Sequence, residues 1–430
     1  MTGPGEGARH PLREAPFARL WVSGLLTETG RWVLQLALPL YVLALTRSPL
    51  VTSVVAMLGL LPSLVVAPLA GALVDRFDRR RFLIVVSLAQ AAALTPLLWV
   101  EDAGDLWRVY LVAGAEAVLT MAFESVKNVA LPAFVAPGQL VSANAAIGLN
   151  ASLGRLVGSS LGGLLLGWAG LRLVLGSAMA AFLVAAVLAA TIPRATGAHE
   201  PGGAGRGELW PGLRDALRAI REVPALRGTF QCVALLSLAQ GMFVVLFLLF
   251  VTDLLGAGEA EAGLLRGVQA VGGFAGTVTV GVVTRRLGAP RLLSVGVLCF
   301  GAVSAVTWNL SQAPLGLTVY AALFALAGVP AVWLMAAWLS LVQQSSPPRV
   351  RGRVMACVLG LADGLQAVGM LAAGLLTGVM SPLAALDLQA ALLLAAGLLT
   401  LRTLPAGRSG ATAGAPADAK AAGPVRRAAD

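Results

Sequence analysis

Charged and metal-binding side chains are scarce in this chain of 430 residues. Only 12% of its residues are charged and 58% are hydrophobic, whereas soluble domains have about 25% charged and about 45–50% apolar residues. This balance excludes an ordinary soluble enzyme. It indicates a chain whose helices lie in a lipid bilayer.

Histidine and cysteine are also rare, which narrows the possible chemistry. The two histidines, His10 and His199, lie in polar segments, and the three cysteines, Cys232, Cys299 and Cys357, lie inside apolar runs. These positions indicate neither a metal site nor a disulfide framework. The sequence also has no phosphate-binding loop of the Gly-x-x-x-x-Gly-Lys-Ser/Thr kind. We therefore predict no metal, no cofactor and no enzymatic activity.

Long apolar runs make up most of the chain, and they divide into six plus six. The predicted fold is an all-α membrane protein with twelve transmembrane helices in two pseudo-repeated halves. Its predicted parts are a cytoplasmic N-terminal segment (1–17), the first half (18–192), a cytoplasmic linker with an amphipathic helix (193–228), the second half (229–404) and a disordered cytoplasmic tail (405–430). A partly ordered linker without a specific role is the alternative for 193–228.

The basic residues predict the orientation of the chain. With the N-terminus inside, the tails and inner loops hold 25 of the 31 lysines and arginines, and the outer loops hold only Arg47, Arg108 and Arg172. Because basic residues are retained on the cytoplasmic side, both termini should be cytoplasmic in the bacterial inner membrane. Topology thus explains the net charge of +10 without a nucleic-acid partner.

An internal repeat relates the two halves at an offset of about 210 residues. Gly158, Gly163 and Gly167 match Gly369, Gly374 and Gly378, each 211 positions later. The loop from Gly71 matches the loop from Gly281, and Pro137 matches Pro348. Halves of this kind place a substrate site near the middle of the membrane, and transport follows from rocking of one half against the other.

A motif after the second predicted span carries a family resemblance. The segment from Gly71 to Arg81 reads GALVDRFDRRR and resembles the signature loop of the major facilitator superfamily. Gly71, Leu73, Asp75, Arg76, Arg79 and Arg80 match it, and Asp78 replaces the usual glycine, which is similar to the macrolide-efflux and enterobactin-exporter branch. The resemblance covers residues 17–404.

The resemblance implies a gating role for this loop. A fixed carboxylate such as Asp75 can hold the positive end of a helix dipole, and the arginines can anchor the loop to lipid headgroups. Spacing alone also fits a loop that only sets topology. The loop of the second half has Arg285 in place of the aspartate, so a carboxylate latch is expected in one half only.

The fifth predicted span resembles a motif associated with export in exchange for protons. Gly154, Gly158, Gly162 and Gly163 match its glycines, and Ser159 replaces its proline. The alternative is that small residues at this spacing only allow helices to pack closely.

Ionisable residues inside predicted spans are candidates for the mechanism, because each costs about 2.5–3.5 kcal/mol to insert. We assign proton coupling to Glu28, Glu116 and Asp363, and the substrate cavity to Arg31, Trp32 and Arg155. Glu28 and Arg31 can instead simply neutralise each other at their spacing of three residues. Arg155 can attract an anionic substrate group or pair with Glu116.

These observations predict a monomeric secondary transporter that exports an amphipathic small molecule, such as a drug, macrolide or siderophore, in exchange for protons. Its partners are then the substrate, protons and the lipid bilayer. One alternative is a symporter or uniporter that imports a metabolite. Another is a transport-inactive membrane scaffold or sensor, although a scaffold does not need charges inside its spans.

Overall fold

The structure is a computed structural model that describes residues 11–61, 78–131, 134–135, 139–193, 209–348 and 350–404. The α-helices in these ranges are α1 Ala15–Thr46, α2 Pro49–Leu58, α3 Arg79–Ala93, α4 Leu106–Ala130, α5 Leu140–Ala190, α6 Leu209–Glu222, α7 Pro224–Leu249, α8 Glu259–Asn309, α9 Leu317–Ser345, α10 Arg351–Leu376 and α11 Pro382–Thr403. No strand occurs within these ranges. A π-helical turn, Phe250–Leu254, extends α7.

Eight of these helices are long and apolar enough to cross a membrane, namely α3, α4, α5 and α7 to α11. Their outer faces carry exposed apolar side chains such as Val278 of α8, which is 68% exposed. The all-helical membrane fold is therefore confirmed. The count of twelve spans stays a prediction.

Two of the long helices are bent at a glycine. The bend in α5 lies at Gly170, with φ +74°, and the bend in α8 lies at Gly288, with φ +73°. Glycine adopts this left-handed region without the steric cost that a side chain brings. Each bend separates two arms, 140–169 and 171–190 in α5, and 259–287 and 289–309 in α8, which correspond to neighbouring predicted spans.

Local capping sets the start of several helices. Ser48 caps α2 by accepting a hydrogen bond from the Val51 amide at 3.3 Å, and Pro49 occupies the first turn. Asp78 caps α3 in the same way, with the Arg81 amide at 3.1 Å. An aspartate is a favourable N-cap, which gives the residue that departs from the superfamily motif a structural role.

The long helices form two groups that are consecutive in sequence, the N-terminal group (α1 to α5) and the C-terminal group (α7 to α11). In the N-terminal group, α5 packs on α1 and α3, and α3 packs on α4. In the C-terminal group, α7 packs on α10 and α11, and α8 packs on α9 and α11. Helices within each group thus pack on one another, and one hydrophobic core cluster joins side chains of both groups, such as Val33 and Phe247.

Helix α6 lies in the predicted linker and packs on the C-terminal group. Ala219 and Ile220 are buried there, and Asp215 lies 3.7 Å from Arg353 of α10. Arg218 and Glu222 are exposed and form an ion pair at 2.7 Å, which raises the pKa of the Arg218 guanidinium. The apolar and charged faces suit a helix at a membrane surface, and that location stays a prediction.

Candidate transport cavity

The two groups touch through glycines near the ends of the helices that lie away from the start of α1. We call the contact between α5 and α8 the first seam. A Cβ atom on Gly163 would lie 2.5 Å from Cα of Gly263 and would also meet the carbonyl oxygen of Glu259. These contacts are with backbone, so α5 and α8 approach each other as closely as two helices can.

A second seam joins α2 to α10. A Cβ atom on Gly374 would lie 2.9 Å from Cα of Leu50 and would also meet the side chain of Ser53. Both seams lie on the same side of the molecule. That side is therefore closed between the groups.

The glycines of the internal repeat occupy matching environments. Gly163 and Gly374 each form a seam between the groups. Gly158 packs on α1 of its own group, and Gly369 packs on α7 of its own group. The repeat read from spacing therefore corresponds to repeated helix packing for these two pairs, whereas Gly71 and Pro137 lie outside the described residues.

Between the seams and the side on which α1 begins lies a cavity with a volume of about 280 Å³. Both groups contribute to its wall. The polar side chains that line it are Glu28, Arg31 and Gln35 of α1, Glu116, Thr120 and Glu124 of α4, and Asp363 of α10. Three predicted proton-coupling residues and the predicted cavity residue Arg31 thus come together in one space.

Glu28 and Arg31 form an ion pair in the cavity wall. Oε2 of Glu28 accepts a hydrogen bond from Nη2 of Arg31 at 2.7 Å, and Arg31 also donates to Oε1 of Gln35 at 3.0 Å. Glu28 is only 7% exposed, and its Cβ would lie 2.6 Å from a Cβ on Gly154. The structural pairing expected from their spacing is present, which leaves Glu28 less available than Glu116.

Glu116 has no basic partner among the described residues. Its Oε2 accepts a long hydrogen bond of 3.5 Å from Nε2 of Gln90 on α3, and its Oε1 is buried without a hydrogen-bond partner. The same Gln90 nitrogen lies 3.4 Å from Thr120. A buried carboxylate oxygen without a partner is costly while the group is charged, so this site is suited to binding a proton.

The other carboxylates of the cavity differ in their surroundings. Glu124 forms an ion pair at 2.5 Å with Lys127, which is only 2% exposed. Asp363 is half-buried and forms no ion pair with a described residue. In lacking a described ion partner, Asp363 therefore resembles Glu116 and differs from Glu124.

Trp32 lies between two arginines. The guanidinium carbon of Arg31 is 4.7 Å from the ring centroid and that of Arg155 is 5.7 Å from it. The distances suit cation–π contacts. Arg155 forms no ion pair with Glu116 in the described structure, so the pairing that the sequence left open is not observed.

The antiporter-like motif forms close helix contacts. A Cβ on Gly154, Gly158 or Gly162 would lie within 2.7 Å of an α1 atom, and Gly163 belongs to the first seam. Ser159, in the place of the motif's proline, donates a hydrogen bond to the carbonyl oxygen of Arg155. Close packing explains why these positions are glycine, and a part in antiport stays a proposal.

The predicted gating loop is described only at its end. Gly71, Asp75 and Arg76 lie outside the described residues, whereas Arg79 and Arg80 form the first turn of α3. Arg80 donates a hydrogen bond to the carbonyl oxygen of Ala190 at the end of α5. The arginine thus ties α3 to α5 within the N-terminal group.

Sequence reasoning missed three polar residues of this region. Gln90 and Gln35 stand alone among apolar neighbours, which was a signal that could have been used. Arg266 lies inside an apolar run but is not among the site residues predicted above. It lines a second pocket with Trp32 and Gln35.

Comparison with known proteins identifies the fold and the family. The family model described as "transmembrane secretion effector", a branch of the major facilitator superfamily, matches residues 6–420. The chain belongs to this family. It is a major facilitator transporter and a multi-pass membrane protein, not an enzyme.

Among its relatives are two named efflux proteins. The multidrug efflux pump Tap of Mycolicibacterium fortuitum is 28% identical over 372 residues, which cover 84% of this chain and 89% of that protein. Macrolide efflux protein A of Streptococcus pyogenes is 32% identical over 126 residues, which cover 29% of this chain and 31% of that protein. These names place the transporter in the efflux branch.

Solved structures share the fold at low identity. A bacterial homologue of the iron transporter ferroportin in an inward-facing state has a TM-score of 0.70 and 17% identity, covering 90% of this chain and 98% of that chain. The nucleoside transporter NupG has a TM-score of 0.70 and 13% identity, covering 91% of this chain and 99% of that chain. They show that the helices are arranged as in a major facilitator transporter.

Proposed function

We propose that this transporter exports an amphipathic small molecule, such as a drug, macrolide or siderophore, in exchange for protons. The named efflux relatives support the outward direction. The cavity supports exchange, because one space holds both apolar wall residues and carboxylates. The transporter is proposed to act as a monomer in the bacterial inner membrane with both termini in the cytoplasm.

The observation that carries the proton step is the environment of Glu116. Its Oε1 is buried without a partner, and no described basic residue pairs with it. A charge inside a membrane protein is costly unless it is paired or hydrated. Opening and closing of the cavity changes hydration, so Glu116 can bind a proton on one side and release it on the other. Glu28 and Asp363 line the same cavity and are proposed to share this step.

Alternating access follows from the seams. In the present structure the groups touch at both seams, and the cavity lies toward the side of α1's start. With cytoplasmic termini, this is the state that loads cargo from the cell. Separation at the seams would then expose the cavity to the opposite side, with the loop of Asp75 and Arg76 proposed as the gate on the cytoplasmic side.

The cavity suits an amphipathic cargo. Its apolar wall includes Leu34, Leu38, Val55, Met121 and Met370, and flexible methionines adapt to cargo of different shapes. Its volume of about 280 Å³ is close to the lower end of small-molecule sites, which span about 300–1,000 Å³. The carboxylates favour cargo with a basic group on the part that faces them.

Transport by inverted proteoliposomes tests the proposal. With a radiolabelled macrolide first and a wider drug panel after it, we expect an imposed pH gradient to accelerate accumulation. The double variant Glu28→Gln/Glu116→Gln should lose this acceleration but keep exchange of labelled for unlabelled cargo. Glu101→Gln, in an exposed loop, is the matched control and should behave like the parent chain.

Three results would each contradict a part of the proposal. Transport at the same rate with and without the pH gradient would show that transport is not coupled to protons. Unchanged gradient-driven transport in the double variant would show that Glu28 and Glu116 do not carry the coupling. Cargo that moves with the protons, rather than against them, would identify a symporter. Thermal unfolding and gel filtration of each variant separate these outcomes from loss of fold.

A further inference from the structure

A second, smaller pocket lies between the two groups, separate from the carboxylates of Glu116 and Asp363. It has a volume of about 20 Å³ and adjoins the transport cavity, with which it shares Gln35, Pro39 and Val244. Trp32, Gln35 and Ser159 contribute to it from the N-terminal group, and Val244, Phe247 and Arg266 from the C-terminal group. Any ligand held here therefore touches both moving parts of the transporter.

Arg266 brings a charge to this pocket that no described carboxylate neutralises. Its guanidinium donates a hydrogen bond to Oε1 of Gln269 at 3.0 Å. It also lies 5.1 Å from the ring centroid of Phe243 and 5.6 Å from that of Phe247. Cation–π contacts attract the guanidinium, but aromatic rings carry no counter-charge.

A second arginine lies across the boundary between the groups. Arg155 of α5 is within electrostatic range of Arg266 of α8 and of Arg31. The single carboxylate among them, Glu28, is already bound to Arg31 at 2.7 Å. The three arginines therefore outnumber the one carboxylate, and like charges repel in a region of low dielectric constant.

Trp32, in the wall of the pocket, carries a hydrogen-bond donor without a partner. Nε1 of Trp32 is buried and has no hydrogen-bond partner. A tryptophan N–H can only donate, and a buried donor without an acceptor costs about 1–3 kcal/mol. Uncompensated positive charge favours a negatively charged ligand, and a donor without a partner favours a hydrogen-bond acceptor. Together they favour an anion that accepts hydrogen bonds.

We propose that this pocket is an anion subsite that binds a carboxylate, sulfonate or phosphate group through Arg266 and Nε1 of Trp32, with Arg155 adding attraction. The pocket has room for the anionic group alone, and an apolar or aromatic body next to that group would lie in the adjoining transport cavity. The anion is either part of the cargo or a free inorganic ion. The cargo interpretation rests on the proposed transport function, whereas the binding site itself does not.

The position of the subsite gives it a conformational effect. An anion bound at Arg266 of α8 offsets the repulsion between Arg266 and Arg155, and it also lies next to Ser159 of α5, beside the first seam. Because a ligand stabilises the state to which it binds better, anion binding favours the state in which this seam is closed. Loss of the anion favours separation of the groups.

Equilibrium dialysis tests the subsite on the full chain in lipid nanodiscs. Radiolabelled 1-naphthoate is the probe, unlabelled 1-naphthalenemethanol is the neutral competitor of the same ring, and empty nanodiscs give the background. We expect saturable naphthoate binding that the alcohol displaces poorly. Arg266→Gln and Trp32→Phe should each weaken binding, by about tenfold for the loss of a charge-assisted hydrogen bond in Arg266→Gln and by less for Trp32→Phe.

Two further variants make the result specific. Arg266→Lys keeps the charge and should recover part of the affinity. Arg291→Gln removes an exposed arginine from the other arm of α8 and should bind naphthoate like the parent chain. Thermal unfolding confirms that each variant is folded.

Chloride and sulfate distinguish the two sources of the anion. If millimolar concentrations of either displace naphthoate, the subsite accepts a free inorganic ion; if neither does, the anion belongs to an organic cargo. Equal binding by Arg266→Gln and the parent chain, or equal binding of the acid and the alcohol, would overturn the proposal. Because dialysis needs no pH gradient, these outcomes are independent of the proton-exchange experiment.

Discussion

The two seams that join the groups are formed by equivalent helix positions, but the charged residues beside them differ. At the first seam Gly163 meets Gly263, and at the second Gly374 meets Ser53. Gly374 follows Gly163 by 211 positions, and Gly263 follows Ser53 by 210. The seams are thus two copies of one contact.

The charges beside the seams are not copied. Arg155 on α5 corresponds to Gln366 on α10, and Arg266 on α8 corresponds to Ala56 on α2. Conversely, Asp363 on α10 corresponds to Ser152 on α5. Repeated glycines are needed wherever two helices must touch and separate, whereas binding a polar cargo needs different groups on the two sides of the cavity.

The largest effect is expected from filling the first seam at Gly163, because the three nearest neighbours of a Cβ atom there are all backbone atoms. Gly163→Leu should force α5 from α8. At a cost of about 1–3 kcal/mol for overpacking, the equilibrium between closed and open seams shifts by about 5- to 150-fold. Cargo transport should fall accordingly.

Electron spin resonance between labels at Trp168→Cys and Leu315→Cys, with the native cysteines replaced by serine, measures this opening. We expect the longer distance to gain population in Gly163→Leu. Gly176→Leu is the control, since a Cβ there meets nothing within 4 Å. An unchanged distance distribution would mean that the seam does not move in this way.

A smaller effect is expected at the second seam, where one neighbour is a side chain. Gly374→Ala should slow transport because its Cβ meets Ser53. Ser53→Gly removes that neighbour and makes this seam resemble the first. We expect the double variant Gly374→Ala/Ser53→Gly to recover part of the transport rate. Without recovery, the backbone of Leu50 rather than Ser53 would limit the approach.

The smallest effect is expected from Asp363, a carboxylate of the C-terminal group whose counterpart in the N-terminal group, Ser152, is uncharged. Asp363→Asn should reduce the gain from a pH gradient by less than about tenfold, or less than about 1.4 kcal/mol, because Asp363 is half-buried and Glu116 remains. The measurement is the ratio of transport rates with and without the gradient. Asp387→Asn, whose carboxylate accepts from Asn309 at 2.8 Å, serves as the control. If Asp363→Asn lost as much of the gain from the pH gradient as Glu28→Gln/Glu116→Gln, Asp363 would be identified as the main proton carrier.

Much of the fold could be predicted from local patterns, and part of the site could not. Helix length, apolar composition and glycine spacing are properties of short segments, and they predicted an all-helical membrane fold with repeated packing. Gln90 meets Glu116 only because α3 and α4 adopt particular rotations, and apolar periodicity is too weak in these helices to fix rotation. The same holds for Arg266, whose pocket requires four helices from two groups.

The sequence by itself determined the membrane class, the superfamily and the small set of charges from which any mechanism must be built. These follow from composition and from motifs that are contiguous in the chain. Only the tertiary structure decided which charges are neutralised. It pairs Glu28 with Arg31 and Glu124 with Lys127, and it leaves Glu116 and Arg266 without described ion partners. The physical reason is that pairing depends on distances of a few ångströms between side chains, and for residues on different helices packing alone sets those distances.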